Sequence, residues 1–175
     1  FADGRLIGHN TDIAGFELSI RHCKYNANKK KALIIGAGGV VPSIIVALKK
    51  MNIEKIFVKN RSENNALNLK KKFPEINLID WNKTIDVDMI INATSIGLKK
   101  GEKLDIDLKK FGENKFFYDV IYNPKETNFL LDARKLGNLA ENGKMMFIYQ
   151  AHQAFSVWHK IFPVIDDEVI GIVEK

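Results

Sequence analysis

The sequence has a single cysteine, Cys23, and no long apolar run. One thiol cannot build a disulfide framework or a cysteine-rich zinc site, which favours a reducing compartment, and we expect a cytoplasmic protein. The apolar runs are a few residues long, whereas a membrane-spanning helix needs about 20, so no span is predicted. The four histidines lack metal-ligand spacing, and no metal site is expected. Intrinsic disorder is excluded, because 46% of the 175 residues are hydrophobic.

Acidic residues are fewer than basic ones: 21 Asp and Glu stand against 27 Lys and Arg, which gives a net charge of +6. This balance favours anionic partners such as nucleotides or phosphates. The lysines, however, are scattered in short runs that are typical of solvent-exposed helix faces. No nucleic-acid recognition module and no basic strand with interleaved aromatics is present, so we expect no nucleic-acid partner.

Short strands that are apolar throughout alternate with helices along most of the chain. The predicted strands are residues 6–7, 32–35, 56–58, 77–79, 89–91 and 116–120. The predicted helices are one from residue 12 onward, 40–51, 63–73, 127–136, a long amphipathic helix from 145 that Pro163 stops, and a short one from 166. Continuously apolar strands are typical of a parallel sheet that is covered on both faces. The pattern therefore predicts an α/β fold with a doubly wound, Rossmann-like parallel sheet.

A glycine-rich turn follows the strand 32–35 directly and precedes a helix. Glycines permit a tight turn and let backbone N–H groups reach a diphosphate at the helix N-terminus. We therefore expect a dinucleotide to bind here. The residues predicted to hold it are Gly36, Ala37, Gly38, Gly39 and Val40.

The next strand ends in Lys59-Asn60-Arg61-Ser62, without the acidic residue that NAD sites usually place at this tip. A carboxylate would repel a 2′-phosphate, whereas Arg61 can pair with it in bidentate fashion. The sequence thus favours NADP over NAD. Glu63 follows closely and leaves NAD open, as does the alternative that Arg61 only completes a surface turn.

Two further polar turns follow neighbouring strands, at residues 92–97 and 119–124. In open α/β sheets, ligands bind in the crevice beyond the carboxyl ends of the strands. Small hydroxyl and amide side chains there, such as Asn92 and Thr94, can line a ribose or nicotinamide pocket. The two turns are therefore expected to share one site.

Taken together, these motifs resemble the shikimate dehydrogenase family over nearly the whole chain. The ordered elements are Gly8-His9-Asn10-Thr11-Asp12-Ile13-Ala14-Gly15-Phe16, Gly36-Ala37-Gly38-Gly39, Asn60-Arg61-Ser62, Asn92-Ala93-Thr94-Ser95-Ile96-Gly97, Asp119-Val120-Ile121-Tyr122-Asn123-Pro124, Asn142-Gly143-Lys144-Met145-Met146 and Gln150-Ala151. The resemblance implies reversible, NADPH-linked reduction of 3-dehydroshikimate to shikimate in aromatic amino-acid biosynthesis. Glutamyl-tRNA reductase has a similar nucleotide domain, but the Asn-Thr-Asp element and Gln150 argue against it.

The resemblance also implies roles for individual residues. Asp12 is expected to be catalytic, binding substrate hydroxyls beside a catalytic Lys. The implied substrate-binding residues are Asn10, Thr11, Asp12, Tyr122 and Gln150. The implied cofactor-binding residues are Gly36, Ala37, Gly38, Gly39, Val40, Asn60, Arg61, Ser62, Asn65, Asn92, Thr94, Val120 and Gly143.

The resemblance further divides the chain into three parts. Residues 1–24 end a substrate domain, 25–142 form the NADP-binding domain, and the C-terminal helices of 143–175 pack back on the substrate domain. The rest of that domain, with the catalytic Lys and a Ser-rich loop, is missing from the chain, which starts at Phe1 without Met. We therefore expect the chain to bind NADP(H) but to turn over poorly alone, as a monomer or homodimer.

Some residues depart from the family pattern, and some interpretations stay open. Val41-Pro42 replaces a small residue followed by a basic one, and Asn65 stands where a Lys or Arg is common. A non-catalytic NADP-binding sensor, or a quinate/shikimate dehydrogenase that also uses NAD, remains an alternative function. From the residues alone, Asp12 is equally a helix N-cap. Tyr149, Phe155 and Trp158 are expected in the core, and Cys23 is expected to be an inert thiol.

Overall fold

The structure, a computed structural model, describes residues 4–173. Its strands are β1 (Lys31–Ile35), β2 (Lys55–Lys59), β3 (Asn77–Leu78), β4 (Met89–Asn92), β5 (Phe116–Asp119) and β6 (Leu139–Glu141). Its helices are α1 (Thr11–His22), α2 (Val41–Lys50), α3 (Glu63–Lys72), α4 (Asn128–Lys135), α5 (Lys144–His159) and α6 (Asp167–Ile172), with a 3-10 helix at Leu108–Phe111. No helix of the described part is long and apolar enough to cross a membrane.

The six strands form one parallel sheet in the order β3-β2-β1-β4-β5-β6. The order reverses between β1 and β4, so the crevice of a doubly wound sheet opens beyond the carboxyl ends of these two strands. The predicted Rossmann-like α/β fold is thus confirmed. The continuous apolar runs of β1 and β4 are buried on both faces, as the sequence pattern required.

Two apolar layers cover the sheet. One face packs Ile34 and Ile91 against α1, α2 and Met146 of α5. The other packs Leu33 and Ile90 against α4 and the 3-10 helix. Helix α1 lies between α2 and α5, and this placement brings the N-terminal and C-terminal segments of the chain together on one side of the sheet.

Several sequence-based expectations at the ends of the chain are wrong. Residues 6–7 are not a strand, and they are 83% and 70% exposed. Helix α5 ends at His159, before Pro163, because Lys160 adopts a left-handed conformation with φ of 57°. Trp158 is 76% exposed and Phe155 is also exposed, so neither lies in the core, while Tyr149 is half-buried.

Strand β6 was not predicted from the sequence. It is three residues long, and Ala140 is its one buried side chain, so it carries almost no apolar signal. It forms the edge of the sheet beside β5. Cys23 agrees with the expected inert thiol, since burial raises its pKa to about 11 and keeps it protonated. Within residues 4–173, no cluster of metal-ligating side chains is present.

Candidate functional site

The glycine turn lies at the carboxyl end of β1, tightly enclosed at its first residue and open at its last. Gly36 has φ of 117°, and a Cβ there would approach the Ala93 carbonyl oxygen to 2.7 Å. A side chain at this position is therefore excluded by both backbone conformation and space. Gly38 and Gly39 are exposed, and a Cβ at Gly39 would meet nothing within 4 Å.

Helix α2 starts directly after this turn, and its N-cap residue, Val40, makes no side-chain cap hydrogen bond. The first-turn N–H groups of α2 already donate to the carbonyl oxygens of Gly38 and Val40, and Pro42 has none. The N–H groups of Gly38 and Gly39 have no partner among the described residues, and together with the partial positive charge of the helix N-terminus they suit an anion. The turn also borders a groove of about 260 Å³ toward α3. That groove is lined by Ala37, Gly38, Gly39, Pro42, Asn65, Asn68, Leu69 and Lys72.

The tip of β2 is held against the glycine turn. The N–H of Gly36 donates to the carbonyl oxygen of Lys59 at 2.8 Å. The Asn60 amide then donates to the Ser62 carbonyl oxygen at 2.7 Å, which shapes the turn into α3. Arg61 and Ser62 are exposed, and Arg61 has no ion pair within residues 4–173. The guanidinium group of Arg61 is therefore unpaired within the described residues. It lies two residues after the end of β2, which borders the glycine turn.

The ends of β4 and β5 are joined by buried side-chain hydrogen bonds. The amide of Asn92 donates to Asp119 Oδ1 at 3.0 Å, and the Thr127 hydroxyl donates to Asp119 Oδ2 at 2.6 Å. The side-chain oxygen of Asn92, Oδ1, accepts from the backbone N–H and the hydroxyl of Thr94, at 3.1 and 2.8 Å. Asn92 and Thr94 therefore use their polar atoms to hold the loop, rather than presenting them to the crevice.

Asp119 is fully buried, and three hydrogen-bond donors surround its carboxyl group. Burial raises the pKa of its carboxyl group above the ordinary value, while hydrogen bonds from Thr127, the Ile121 N–H and Asn92 act in the opposite direction. Three donors converge on the two oxygens, so the carboxyl group bonds within the protein rather than toward the crevice. The arrangement suits a residue that positions loops.

Val120 and Gly143 are brought together as the resemblance implied. The Gly143 N–H donates to the Ile121 carbonyl oxygen at 3.1 Å. A Cβ added at Gly143 would overlap the Val120 carbonyl oxygen, so only glycine allows α5 to start at this point. The start of α5 and the end of β5 thus form one wall of the crevice.

Helix α1 begins beside the glycine turn because Asn10 caps it. The Asn10 side-chain oxygen accepts from the N–H of Asp12 at 3.0 Å and of Ile13 at 3.4 Å. Its amide donates to the Ser43 hydroxyl on α2 at 3.0 Å. Asp12 is therefore not the N-cap, so that alternative is wrong. Its half-buried carboxylate forms no ion pair with a lysine of the described residues.

Helix α5 carries Gln150 and packs against Tyr122, the two other predicted substrate residues. The ring of Tyr122 stacks on Phe147, with centroids 4.5 Å apart and planes 20° from parallel. The Gln150 amide donates to the Phe147 carbonyl oxygen at 3.1 Å. Gln150 and Thr11 line the same groove of about 680 Å³ between α5 and the segment before α1. The other residues that line it are Ile7, His9, Ala154, Val157, Trp158 and Lys160.

Sequence reasoning missed four residues that shape this region: Ser43, Asp119, Thr127 and Phe147. Asp119 lies within a quoted motif, and its position at a strand end was a usable signal. Thr127 and Ser43 act across 8 and 33 residues of sequence. Such pairings depend on tertiary contact, and no local pattern indicates them.

Comparisons with known proteins agree on one family. The family model described as shikimate / quinate 5-dehydrogenase matches residues 17–125. A curated relative, the shikimate dehydrogenase (NADP(+)) of Pelagibacter ubique strain HTCC1062, is 59% identical over 98% of this chain and 65% of its own length. The chain thus spans less than two thirds of the length of this relative.

Solved structures share the fold. Shikimate 5-dehydrogenase from Thermus thermophilus, in complex with NADP(H) and shikimate, matches with a TM-score of 0.85 and 28% identity, covering 99% of this chain and 64% of that one. Quinate dehydrogenase from Corynebacterium glutamicum, in complex with NAD, matches with a TM-score of 0.80 and 26% identity over 99% and 64%. With the matched family model, these likenesses show that the chain belongs to the shikimate/quinate 5-dehydrogenase family.

Proposed function

We propose that this chain supplies the NADP(H) site and part of the substrate site of an enzyme that interconverts 3-dehydroshikimate and shikimate. The observation that carries the proposal is the joint between β1 and β2. There the open glycine turn at the start of α2 lies beside the end of β2, which leads to the unpaired Arg61. A relative that is 59% identical has the name of an NADP-dependent shikimate dehydrogenase, which supports the same activity.

The residues at this joint fit a dinucleotide phosphate. Backbone N–H groups of the turn would bind the diphosphate, because the exposed Gly38 and Gly39 leave room for its close approach. Arg61 would pair with the 2′-phosphate, and Asn60, Ser62 and Asn65 would border it. When bound, NADP(H) supplies or accepts the hydride of the reaction.

The residues on the other side of the crevice would shape the nicotinamide and substrate sites. Val120 and Gly143 form the wall that we assign to the nicotinamide end, with Asn92 and Thr94 fixing the neighbouring loop. Asp12 would accept a hydrogen bond from a substrate hydroxyl, with Tyr122 and Gln150 facing the same ring. Asn10 acts through its cap on α1 and its bond to Ser43.

Proton transfer needs a basic group, and none of residues 4–173 pairs with Asp12 in this role. Oxidising an alcohol removes a hydride from carbon and a proton from oxygen, so a general base is required. We propose that a Lys of a substrate domain outside these 175 residues performs this step in the cytoplasm. Residues 1–24 and 143–175 would belong with that domain, and residues 25–142 with the cofactor.

Titration of the 175-residue chain with NADP⁺ and NAD⁺ at low salt tests the cofactor assignment. We expect NADP⁺ to bind more tightly, because Arg61 is free to pair with the additional phosphate. The difference should shrink as salt is raised, since the pair is exposed. Equal affinity for the two nucleotides, or tighter binding of NAD⁺, would contradict the role of Arg61.

Turnover measurements test the rest of the proposal. The chain alone should oxidise shikimate poorly or not at all, and rates typical of enzymes would refute this expectation. Joining the chain to the part of the Pelagibacter relative that it does not cover should restore NADP⁺-dependent oxidation. A non-catalytic sensor would bind NADP⁺ in both forms and oxidise shikimate in neither.

The second candidate is a quinate/shikimate dehydrogenase that also uses NAD. Asn65 favours it, because a second cation for the 2′-phosphate is missing at that position. The Corynebacterium neighbour, a quinate dehydrogenase in complex with NAD, supports the same candidate. Comparing quinate with shikimate, each with both nucleotides, in the joined protein distinguishes the two candidates.

A further inference from the structure

We propose that Gly15 is a positioning residue for the substrate, because it sets the distance between α1 and α5. Gly15 is buried in the middle of the contact between these helices. A Cβ built at this position would approach the Gln150 Cβ to 2.9 Å and the Met146 carbonyl oxygen to 2.9 Å. One of these two partners is backbone, so rotating a side chain cannot relieve the overlap.

The close approach has a direct consequence for the substrate residues. Gly15 lies one turn after Thr11 and Asp12 on α1, and residues three and four apart share a helix face. The atoms facing Gly15 belong to Gln150 itself and to the turn before it. Gly15 therefore holds the predicted substrate residues of α1 beside the predicted substrate residue of α5.

The groove between α5 and the segment before α1 shows the result of this packing. Thr11 and Gln150 line it together, although they are far apart in sequence. Gln150 has only limited freedom to follow a displaced substrate, since its amide donates to the Phe147 carbonyl oxygen at 3.1 Å. The distance between the two helices, rather than side-chain rotation, thus determines which ligand Thr11, Asp12 and Gln150 can bind at once.

The Gly15→Ala variant should therefore separate substrate binding from cofactor binding. The added methyl group would lie 2.9 Å from the Gln150 Cβ, about 0.5 Å closer than ordinary van der Waals contact. Packed interiors do not absorb such an overlap, so α1 and α5 are displaced from each other. A displacement of this kind is expected to weaken shikimate binding about tenfold or more. The glycine turn and Arg61 lie outside this contact, so NADP⁺ affinity should stay within about twofold of wild type.

The experiment uses the joined protein described above, saturated with NADP⁺ and titrated with shikimate while amide NMR signals are recorded. The matched control is Gly171→Ala, another helical glycine, at which a Cβ would meet nothing within 4 Å. Its shikimate affinity should equal that of wild type. A purely structural role for Gly15 predicts instead that NADP⁺ and shikimate affinities fall together.

A double-mutant cycle identifies the residue through which Gly15 acts. Gln150→Ala keeps the Cβ and removes the amide. If Gly15 acts in part by positioning Gln150, the loss of shikimate affinity from Gly15→Ala should be clearly smaller in the Gln150→Ala background than in wild type. Additive losses would overturn the inference, and so would unfolding of Gly15→Ala under conditions where Gly171→Ala is folded.

The inference rests on the proposed function, and the two fail differently. If the wild-type chain prefers NAD⁺ or binds neither nucleotide, the proposed cofactor site is wrong. If it prefers NADP⁺ but shikimate shifts no amide signal of Thr11 or Gln150 in the joined protein, the positioning role is wrong while the cofactor site stands.

Discussion

The two ends of the crevice are built in opposite ways. At the ends of β1 and β2, Gly38, Gly39, Arg61 and Ser62 are exposed, and the N-caps of α2 and α3 lack side-chain hydrogen bonds. At the ends of β4 and β5, the polar side chains are buried and bonded to one another around Asp119. At the ends of β1 and β2, hydrogen-bond donors are left without a partner. At the ends of β4 and β5, nearly all donors are bonded within the protein.

This contrast separates binding groups from supporting groups within one set of motifs. Unused backbone N–H donors of a glycine turn and an exposed guanidinium can bind phosphate directly. A fully bonded carboxyl group cannot exchange partners without loss, so it fixes the loops that surround it. Precise placement matters most where bonds are made and broken, which suits the nicotinamide end that we assign to this side.

The largest effect should come from breaking the buried end at its centre. Asp119→Ala leaves the donors of Asn92, Thr127 and the Ile121 N–H without an acceptor. Unsatisfied buried groups of this kind cost about 1–3 kcal/mol each, and we expect the free energy of unfolding to fall by about 3 kcal/mol. Urea denaturation followed by circular dichroism measures it.

Two controls sharpen that result. Asp119→Asn keeps one acceptor oxygen and the shape of the side chain, so its loss should be clearly smaller. Alanine at the exposed Asp105 should change the free energy of unfolding by less than about 0.5 kcal/mol. A loss below about 1 kcal/mol in Asp119→Ala would mean that the network does not hold the two loops.

The same contrast explains how much of the fold could be predicted. The strands β1 and β4 are apolar throughout because both faces are covered, so the sequence pattern reveals them directly. Strand β6 buries only Ala140, and its place at the sheet edge comes from pairing with β5. Trp158 lies on a helix but is exposed, which periodicity alone cannot distinguish from burial.

The location of the candidate site could be predicted from the sequence. The hydrogen-bond partners of its individual residues were harder to predict. The strand-end rule placed Asn92 and Arg61 at one edge of the sheet. It could not show that the Asn92 amide is bonded to Asp119, or that Asn10 donates to Ser43, because these partners lie 27 and 33 residues away. Whether a polar group faces a ligand depends on what tertiary packing leaves unpaired.

The second effect concerns the open end. Arg61→Ala should weaken NADP⁺ binding by about 2 kcal/mol, or about 30-fold, through loss of charge-assisted hydrogen bonds. NAD⁺ binding and the free energy of unfolding should stay nearly unchanged, since Arg61 supports nothing within the described chain. Arg21→Ala is the matched control, because that exposed arginine pairs with Glu17 on α1, away from the crevice. Equal losses for both nucleotides would exclude contact with the 2′-phosphate.

A smaller effect is the pH dependence that Asp119 imposes on stability. Burial raises the pKa of Asp119 in the folded state above the value of about 3.9 for an unfolded chain. The folded state then holds the proton more tightly, so the contribution of Asp119 is greatest below that value and declines as pH rises through the folded pKa. Relative to Asp119→Asn, wild type should therefore gain stability on acidification toward about pH 4, measured by urea denaturation. The opposite slope would mean that the hydrogen bonds outweigh burial.

The smallest effect is expected at the one buried cation of the open end. Lys59 is 2% exposed, and its ammonium group donates to the Lys83 carbonyl oxygen. No carboxylate pairs with it within the described chain, and burial together with the nearby Lys110 lowers its pKa. Asp119, by contrast, has three donors around one charge.

A buried charge without an opposite partner is often replaced by an apolar group with no loss. We therefore expect Lys59→Met to leave the free energy of unfolding unchanged or to raise it, within about 1 kcal/mol, at about pH 7. Because folding lowers the pKa of Lys59, the charged form opposes folding, and wild type should approach the variant as pH rises toward about 10.4. Lys55→Met, at the exposed start of the same strand, is the control and should show neither effect. If Lys59→Met instead lowers the free energy of unfolding by more than about 2 kcal/mol, the hydrogen bond from Lys59 to Lys83 is important for stability. This end of the crevice would then depend on internal hydrogen bonds as much as the end around Asp119 does.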